Sequence, residues 1–144
     1  MRTKVYRWCG IAATVMLVGC VGIKPGESPS TQFTVPLTLK ETYARAMVQT
    51  DYCLVTDDKF PVVADMSADG QTAQIKVLFD FRSAVVAQID MVAKAPQSTQ
   101  VDVVMWGVNV WDNSAVQAMK AAIEFGVPSC INYFPNAQPI EKKQ

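Results

Sequence analysis

The chain has 144 residues and half of them are apolar, which is enough for one compact domain with its own core. It carries 13 Lys and Arg against 13 Asp and Glu and is formally neutral, so a basic surface for nucleic acid is not expected. Because histidine is absent from the sequence, Ser-His-Asp and Cys-His nucleophile systems and histidine-based metal sites are excluded.

The beginning of the chain has the layout of a secretory signal. Arg2, Lys4 and Arg7 supply positive charge without any acid, and residues 8–18 are almost wholly apolar. The apolar run continues to residue 23 but stays shorter than the roughly 20 residues that a membrane-spanning helix needs. We therefore predict export and not a transmembrane segment.

The signal ends in Leu17-Val18-Gly19-Cys20, which resembles the lipobox of bacterial lipoproteins. The resemblance covers only the first 20 residues. It implies that signal peptidase II removes residues 1–19 and that Cys20 carries lipid, which anchors the protein stably when two or more acyl chains are attached. An ordinary cleaved signal or a short uncleaved anchor is the alternative interpretation.

The residue after the modified cysteine is Val21 and not aspartate. In this it resembles the enterobacterial sorting pattern for the outer membrane, which implies a periplasm-facing protein anchored there, with the inner membrane as the alternative. The first 19 residues contain three of the 13 basic residues, so the mature chain would keep ten against 13 acids. We expect a mildly acidic protein whose membrane contact depends on the lipid, and no nucleic-acid partner.

Four cysteines leave one possible disulfide. Cys9 lies in the predicted signal and Cys20 takes lipid, so Cys53 and Cys130 remain. Export favours a structural disulfide, which would stabilise the fold by roughly 4 kcal/mol in the chain-entropy model. A redox-active pair or a pair of metal-binding thiolates is the alternative, but the chain has neither C-x-x-C nor histidine.

The segment that follows the modified cysteine is predicted to be a flexible tether covering residues 20–32. Pro25 and Pro29, with glycine and serine between them, disfavour regular structure there. A flexible chain of about 12 residues reaches on the order of 20 Å, which would keep the domain close to the membrane surface. Beyond it we predict a single α+β domain over residues 33–135 and a polar tail over 136–144.

A short strand and a helix are predicted next. Phe33-Thr34-Val35 has the aromatic and β-branched character of a strand, which a proline then ends. Thr38-Leu39-Lys40-Glu41 is a capping box, whose threonine and glutamate side chains satisfy free backbone amides at a helix start. Apolar residues at helical spacing predict a helix from Leu39 to Tyr52.

Strand-like segments occupy the middle of the chain. In the clearest of them, Ile75, Val77 and Phe79 alternate with Gln74 and Lys76, which is typical of an antiparallel strand with one buried face. Turn-forming residues separate these segments. The predicted strands cover residues 61–66, 72–81, 85–91 and 101–106.

A second helix is predicted near the end of the chain. Asp112 and Asn113 are both good N-caps, and Gly126 stands where a left-handed C-cap is expected. The helix should therefore end at about Phe125.

These elements predict an α+β fold in the order (β)αβββα. An antiparallel sheet of three to four strands would carry both helices on one face. Cys53 and Cys130 each follow a helix, so their disulfide would tie the two helix ends together. The layout is similar to the helix-grip domains in accessory lipoproteins of the outer-membrane barrel-assembly machinery, a likeness of topology without a shared motif.

The carboxylates offer two further interpretations. Asp57-Asp58 could help to bind a hard cation, but the spacing of a calcium loop is absent and a solvated turn is expected. Asp80, Asp90 and Asp102 should fall on one open sheet face, where they could pair catalytically or simply provide a polar surface. Since no nucleotide-binding loop is present either, we predict no catalytic residue, no metal and no cofactor.

Two tryptophans are candidate partner contacts. Trp106 and Trp111 flank the short segment before the second helix, and aromatic residues are enriched at interface hot spots. Packing beneath the helix start is the alternative for both. The open sheet face and an exposed edge strand, which could accept a strand from a partner, complete the candidate contact surface.

The sequence thus predicts a membrane-tethered envelope lipoprotein that acts as a non-catalytic protein-binding or structural module. An envelope protein is its expected partner. A periplasmic carrier of a small apolar ligand is the alternative, with the ligand between helices and sheet near Met47, Phe79 and Met119.

Overall fold

The computed structural model describes residues 21–55, 60–79 and 84–130. Two helices and five strands follow one another along these ranges. In chain order they are β1 Ser30–Val35, α1 Leu39–Cys53, β2 Val62–Met66, β3 Thr72–Phe79, β4 Ala84–Ala95, β5 Ser98–Met105 and α2 Asn113–Phe125.

The five strands form one antiparallel sheet in the order β1-β5-β4-β3-β2. Strands β2 to β5 follow each other as hairpins, whereas β1 pairs with the last strand, β5. The connection through α1 therefore carries the chain from one edge of the sheet to the other. Pairing between β1 and β5 brings the first strand of the described chain next to its last strand.

The predicted α+β class, with an antiparallel sheet and two helices, is confirmed, but the predicted strand number and order are wrong in detail. Five strands are present. All four strand segments predicted between the helices are found there, so the predicted order (β)αβββα is one strand short. Strand β1 begins at Ser30 and not at Phe33, because residues that look like linker in sequence pair with β5 from Ser30–Val104 onward. Strand β4 extends to Ala95, since Pro96 and the residue after it form a tight hairpin turn.

Local sequence signals set the limits of both helices. The Thr38 hydroxyl accepts a hydrogen bond from the Glu41 amide at 3.1 Å, which is the threonine half of the predicted capping box. The Glu41 carboxylate instead accepts from Arg45 at 2.7 Å. The Asp112 carboxylate accepts from two amides in the first turn of α2. Gly126 ends α2 in the left-handed conformation, with φ of 70°.

The core lies between the helices and one face of the sheet. Residues at alternate positions of the three central strands are fully buried beneath both helices, among them Ile75, Ile89 and Val103. Helix α1 packs on β3 and β4, and α2 packs on β1 and β5. The remaining face of the sheet carries no helix of the described chain, as the sequence predicts.

The Sγ atoms of Cys53 and Cys130 lie 2.09 Å apart, at disulfide distance, so the structure brings the predicted pair together. The helix ends themselves do not meet. Arg45, in the middle of α1, donates to the last carbonyl oxygens of α2 at Ile123 and Glu124. Residues 126–130, here called the return segment, then run along α1 to the cysteine at its end.

Several predictions fall outside the described residues. These include the lipidation of Cys20, the signal, the acids Asp57, Asp58 and Asp80, and the tail beyond residue 130. The domain boundaries also remain predictions. Residues 21–29, predicted as part of a flexible tether, are described and contact the end of the sheet.

Candidate functional site on the open face of the sheet

The face of the sheet away from the helices, here called the open face, is mainly polar. Strand β5 shows the alternation: its even-numbered residues from Gln100 to Val104 point outward while Val101 and Val103 are fully buried. The strand register aligns outward residues into rows that cross the sheet. The central row consists of Gln32, Asp102, Asp90, Gln74 and Asp65.

Two aspartates stand opposite each other in this row. Asp90 on β4 and Asp102 on β5 are direct partners in the antiparallel register. Like charges in such a position destabilise a sheet, typically by up to about 1 kcal/mol. A pair of carboxylates at the centre of the sheet therefore needs compensating donors.

Four glutamines supply those donors. Asp90 accepts from the side-chain amides of Gln74 on β3 and Gln88 on its own strand, the second at 2.6 Å. Asp102 accepts from Gln32 on β1 at 2.6 Å and from Gln100 on its own strand at 3.3 Å. Hydrogen bonds to ionised acceptors are roughly twice as strong as neutral ones, so this network holds both carboxylates in place.

The rows beside the aspartates mix amides, methyl groups and one cation. On one side, Val104, Gln88, Lys76 and Val63 are cross-strand neighbours. Together, this row and the central row contain three aspartates and one lysine, so carboxylates outnumber cations there. Such a surface complements a partner that presents hydrogen-bond donors or positive charge together with small apolar groups.

An edge strand borders the open face. Within the described chain, β2 pairs only with β3, so its other side offers backbone groups to a further strand. Val63 on this strand is 52% exposed and points to the open face. Strand addition at β2 would place a partner directly beside the row of aspartates.

The structure separates the two candidate tryptophans. Trp111 is only 3% exposed and packs edge-on against Phe60, with ring centroids 5.4 Å apart. Trp111 is thus part of the core in the structure, and its side chain is not accessible to a partner. Trp106 is half-buried, 6.3 Å from Phe79 between ring centroids.

A sequence signal for the burial of Trp111 exists. It precedes the N-cap Asp112, and Val116 stands at the fourth helical position, which are the two positions of a hydrophobic staple. Val116 is fully buried. The pattern favours a core position for Trp111 over an interface position.

The residues suggested for an apolar ligand belong to the core. Met119 is fully buried, and Met47 and Phe79 are partly buried and pack against the same cluster. Their packing is that of an ordinary core between helices and sheet, and the carrier function stays a prediction.

Outside the open face, Asp69 is held by hydrogen bonds within its own turn. The Asp69 carboxylate accepts from the Ser67 hydroxyl at 2.6 Å and from the Gln71 amide at 3.0 Å within the turn before β3. These hydrogen bonds, the one from Ser67 foremost, lower the pKa of Asp69 below its usual value. Across residues 21–55, 60–79 and 84–130, no group of three or more acids and cysteines could hold a metal ion.

Sequence reasoning identified Asp90 and Asp102 as outward-facing residues but not the glutamines that bind them. Half of the network could have been predicted from the sequence, because Gln88 and Gln100 each precede an aspartate by two residues and therefore lie on the same side of the strand. The contributions of Gln74 and Gln32 depend on strand register, which the sequence alone does not fix.

The described part of the chain contains no helix that is long and apolar enough to cross a membrane. No protein-family model matches the chain, and no curated protein matches it.

Proposed function

We propose that this protein is an exported lipoprotein, anchored through Cys20 to the bacterial outer membrane, that binds an envelope protein through the open face of its sheet. The lipobox residues support the anchor. The pairing of Cys53 and Cys130 supports export, because disulfides form and persist in oxidising compartments.

The observation that carries the binding role is the fixed pair of carboxylates on the open face. Asp90 and Asp102 are each held by two glutamine amides before any partner arrives. Binding then costs little side-chain entropy, since these groups need no further ordering. Solubility alone does not explain this network, because two like charges placed side by side destabilise the sheet.

The same geometry supports the proposal of a non-catalytic role. All four carboxylate oxygens of the pair accept hydrogen bonds from glutamine side-chain amides, and an amide neither gains nor loses a proton at neutral pH. The chain also lacks histidine, the side chain that most often transfers protons near pH 7. Recognition of a cationic or donor-rich surface fits these groups better than acid–base chemistry does.

Two exposed valines give a matched test of the binding surface. Val63 lies on the open face at 52% exposure, and Val48 lies on α1 at 41% exposure. A photoreactive phenylalanine analogue at each position, in the full-length protein in cells, should crosslink to one envelope protein from position 63 and not from position 48. Crosslinking from position 48 alone, or from neither position in abundant membrane-bound protein, would overturn the proposed surface.

The anchor has its own test. Intact-mass analysis of the purified protein should show a chain that begins at Cys20 with a diacylglycerol thioether, and Cys20→Ala should abolish the lipid and the membrane association. An unmodified Cys20 in the membrane-bound protein would contradict the lipoprotein assignment.

A further inference from the structure

The chain joins the folded domain almost immediately after the predicted anchor. Gly22 is buried against the start of β4, where an added Cβ would lie 3.0 Å from the Val85 carbonyl oxygen. The next amide, that of Ile23, donates to this same oxygen at 2.9 Å. The domain is thus engaged within three residues of Cys20.

The following residues stay attached to the same end of the sheet. The Ser28 hydroxyl accepts from the Lys24 amide at 2.8 Å and donates to the Trp106 carbonyl oxygen at 3.1 Å. The Met105 amide donates to the Pro29 carbonyl oxygen at 3.0 Å, at the last residue of β5. Residues 21–29 therefore form a connection along the domain in place of a free tether.

This attachment limits the distance between the domain and the bilayer. Consecutive Cα atoms are about 3.8 Å apart, so Gly22 cannot lie more than about 8 Å from the Cα atom of Cys20. The end of the sheet where β4 begins and β5 ends, here called the anchor end, must then lie at the membrane surface. Residues 107–110, which are part of the loop between β5 and α2, belong to this end because Val108 and Lys24 line one groove.

The chemistry of the anchor end fits the interface of a lipid bilayer. Val108 is 42% exposed at the tip of the loop, and the half-buried Trp106 stands beside it. Exposed apolar and tryptophan side chains are favoured at the level of the headgroups. Glu27 lies 3.9 Å from the Lys24 ammonium group, and Asp112 lines the same groove, so these acids offset the cation.

We propose that the anchor end is a lipid-contact surface and that the loop 107–110 lies at the headgroup level of the membrane. This inference rests on the proposed lipidation of Cys20. The strands then run away from the bilayer, which leaves the open face accessible from the side. Because Lys24 is offset by neighbouring acids, the contact depends on the short connection and on Val108 and does not require anionic lipid.

Lipid crosslinking from two exposed positions tests this orientation. Val108 is at the anchor end, whereas Phe125, which is 75% exposed, is the last residue of α2 and lies about 18 Å further along that helix from its start. The lipidated protein carries a photoreactive phenylalanine analogue at one position or the other in phosphatidylethanolamine and phosphatidylglycerol vesicles with labelled phospholipid. Lipid adducts at position 108 should exceed those at position 125 at least tenfold.

A spacer provides the second arm. Twelve glycine and serine residues inserted between Cys20 and Val21 should reduce the adducts at position 108 to the level seen at position 125. Equal labelling at 108 and 125 without the spacer would overturn the orientation. Full labelling at 108 with the spacer would overturn the role of the short connection.

The two proposals fail in different ways. Vesicle flotation and the mass of the N-terminal peptide report lipidation of Cys20 directly. Protein that does not float and has an unmodified Cys20 would overturn the lipoprotein function itself. Lipidated, floating protein with equal labelling at 108 and 125 would overturn only the lipid-contact surface.

Discussion

At the scale of single residues, a buried side chain provides hydrogen bonds to backbone groups that lie outside the helices and strands. Gln49 on α1 is almost fully buried, and its amide makes two hydrogen bonds to the backbone of Ser129. Its carbonyl oxygen accepts from the Ser129 amide at 2.9 Å, and its own amide donates to the Ser129 carbonyl at 2.9 Å. The side chain thus pairs with the return segment as a neighbouring strand would.

Gln49→Leu should destabilise the protein by about 1–3 kcal/mol, because both backbone groups of Ser129 would lose their partners. Urea denaturation of the oxidised protein measures this loss. Gln117→Leu is the control, since Gln117 is exposed on α2 and its replacement should change stability by less than about 0.5 kcal/mol. Equal effects of the two substitutions would show that the paired hydrogen bonds are not stabilising.

At the scale of elements, one stripe of α1 organises the chain that follows α2. Arg45, Gln49 and Cys53 are spaced four residues apart and therefore share a face of the helix. Each binds a later part of the chain: the end of α2, the return segment, and Cys130 at its end. Helix α1 is thus joined to the end of α2 and to the return segment, and not only to the sheet beneath it.

Removal of the covalent contact in this stripe should cost up to about 4 kcal/mol, as the chain-entropy model gives for a loop of 77 residues. The variant is Cys53→Ala with Cys130→Ala, measured by urea denaturation. Wild-type protein treated with a reductant should lose a similar amount. If reduction leaves the wild-type stability unchanged, the disulfide contributes little and the hydrogen bonds of Arg45 and Gln49 suffice.

Features fixed by neighbouring residues could be predicted from the sequence, whereas features that depend on distant strand pairing could not. The limits of α2 follow from Asp112 and Gly126, because both caps act within one turn of the residues they stabilise. The start of β1 was missed, since Ser30 pairs with Val104, which is 74 positions away. Only half of the aspartate network could be predicted from the sequence, because the contact between Gln74 and Asp90 depends on the register between β3 and β4.

At the scale of the whole molecule, the covered and the open face of the sheet have different chemical compositions. The covered face contains apolar residues that are fully buried beneath the helices. On the open face, the neighbouring strands β4 and β5 each carry one aspartate, and each aspartate accepts hydrogen bonds from two glutamine amides. If this face binds a partner, its charge can be changed without loss of the core that holds the fold.

Asp90→Asn with Asp102→Asn removes two negative charges from the open face and also relieves the repulsion between like charges. The loss of charge-assisted hydrogen bonds opposes this relief, so stability should change by no more than about 1 kcal/mol. Crosslinking of the partner from position 63 should nevertheless fall several-fold. Asp51→Asn with Glu124→Gln removes the same charge from exposed positions on the helices and should leave crosslinking intact. Equal crosslinking by both double variants would mean that the partner does not recognise the paired carboxylates.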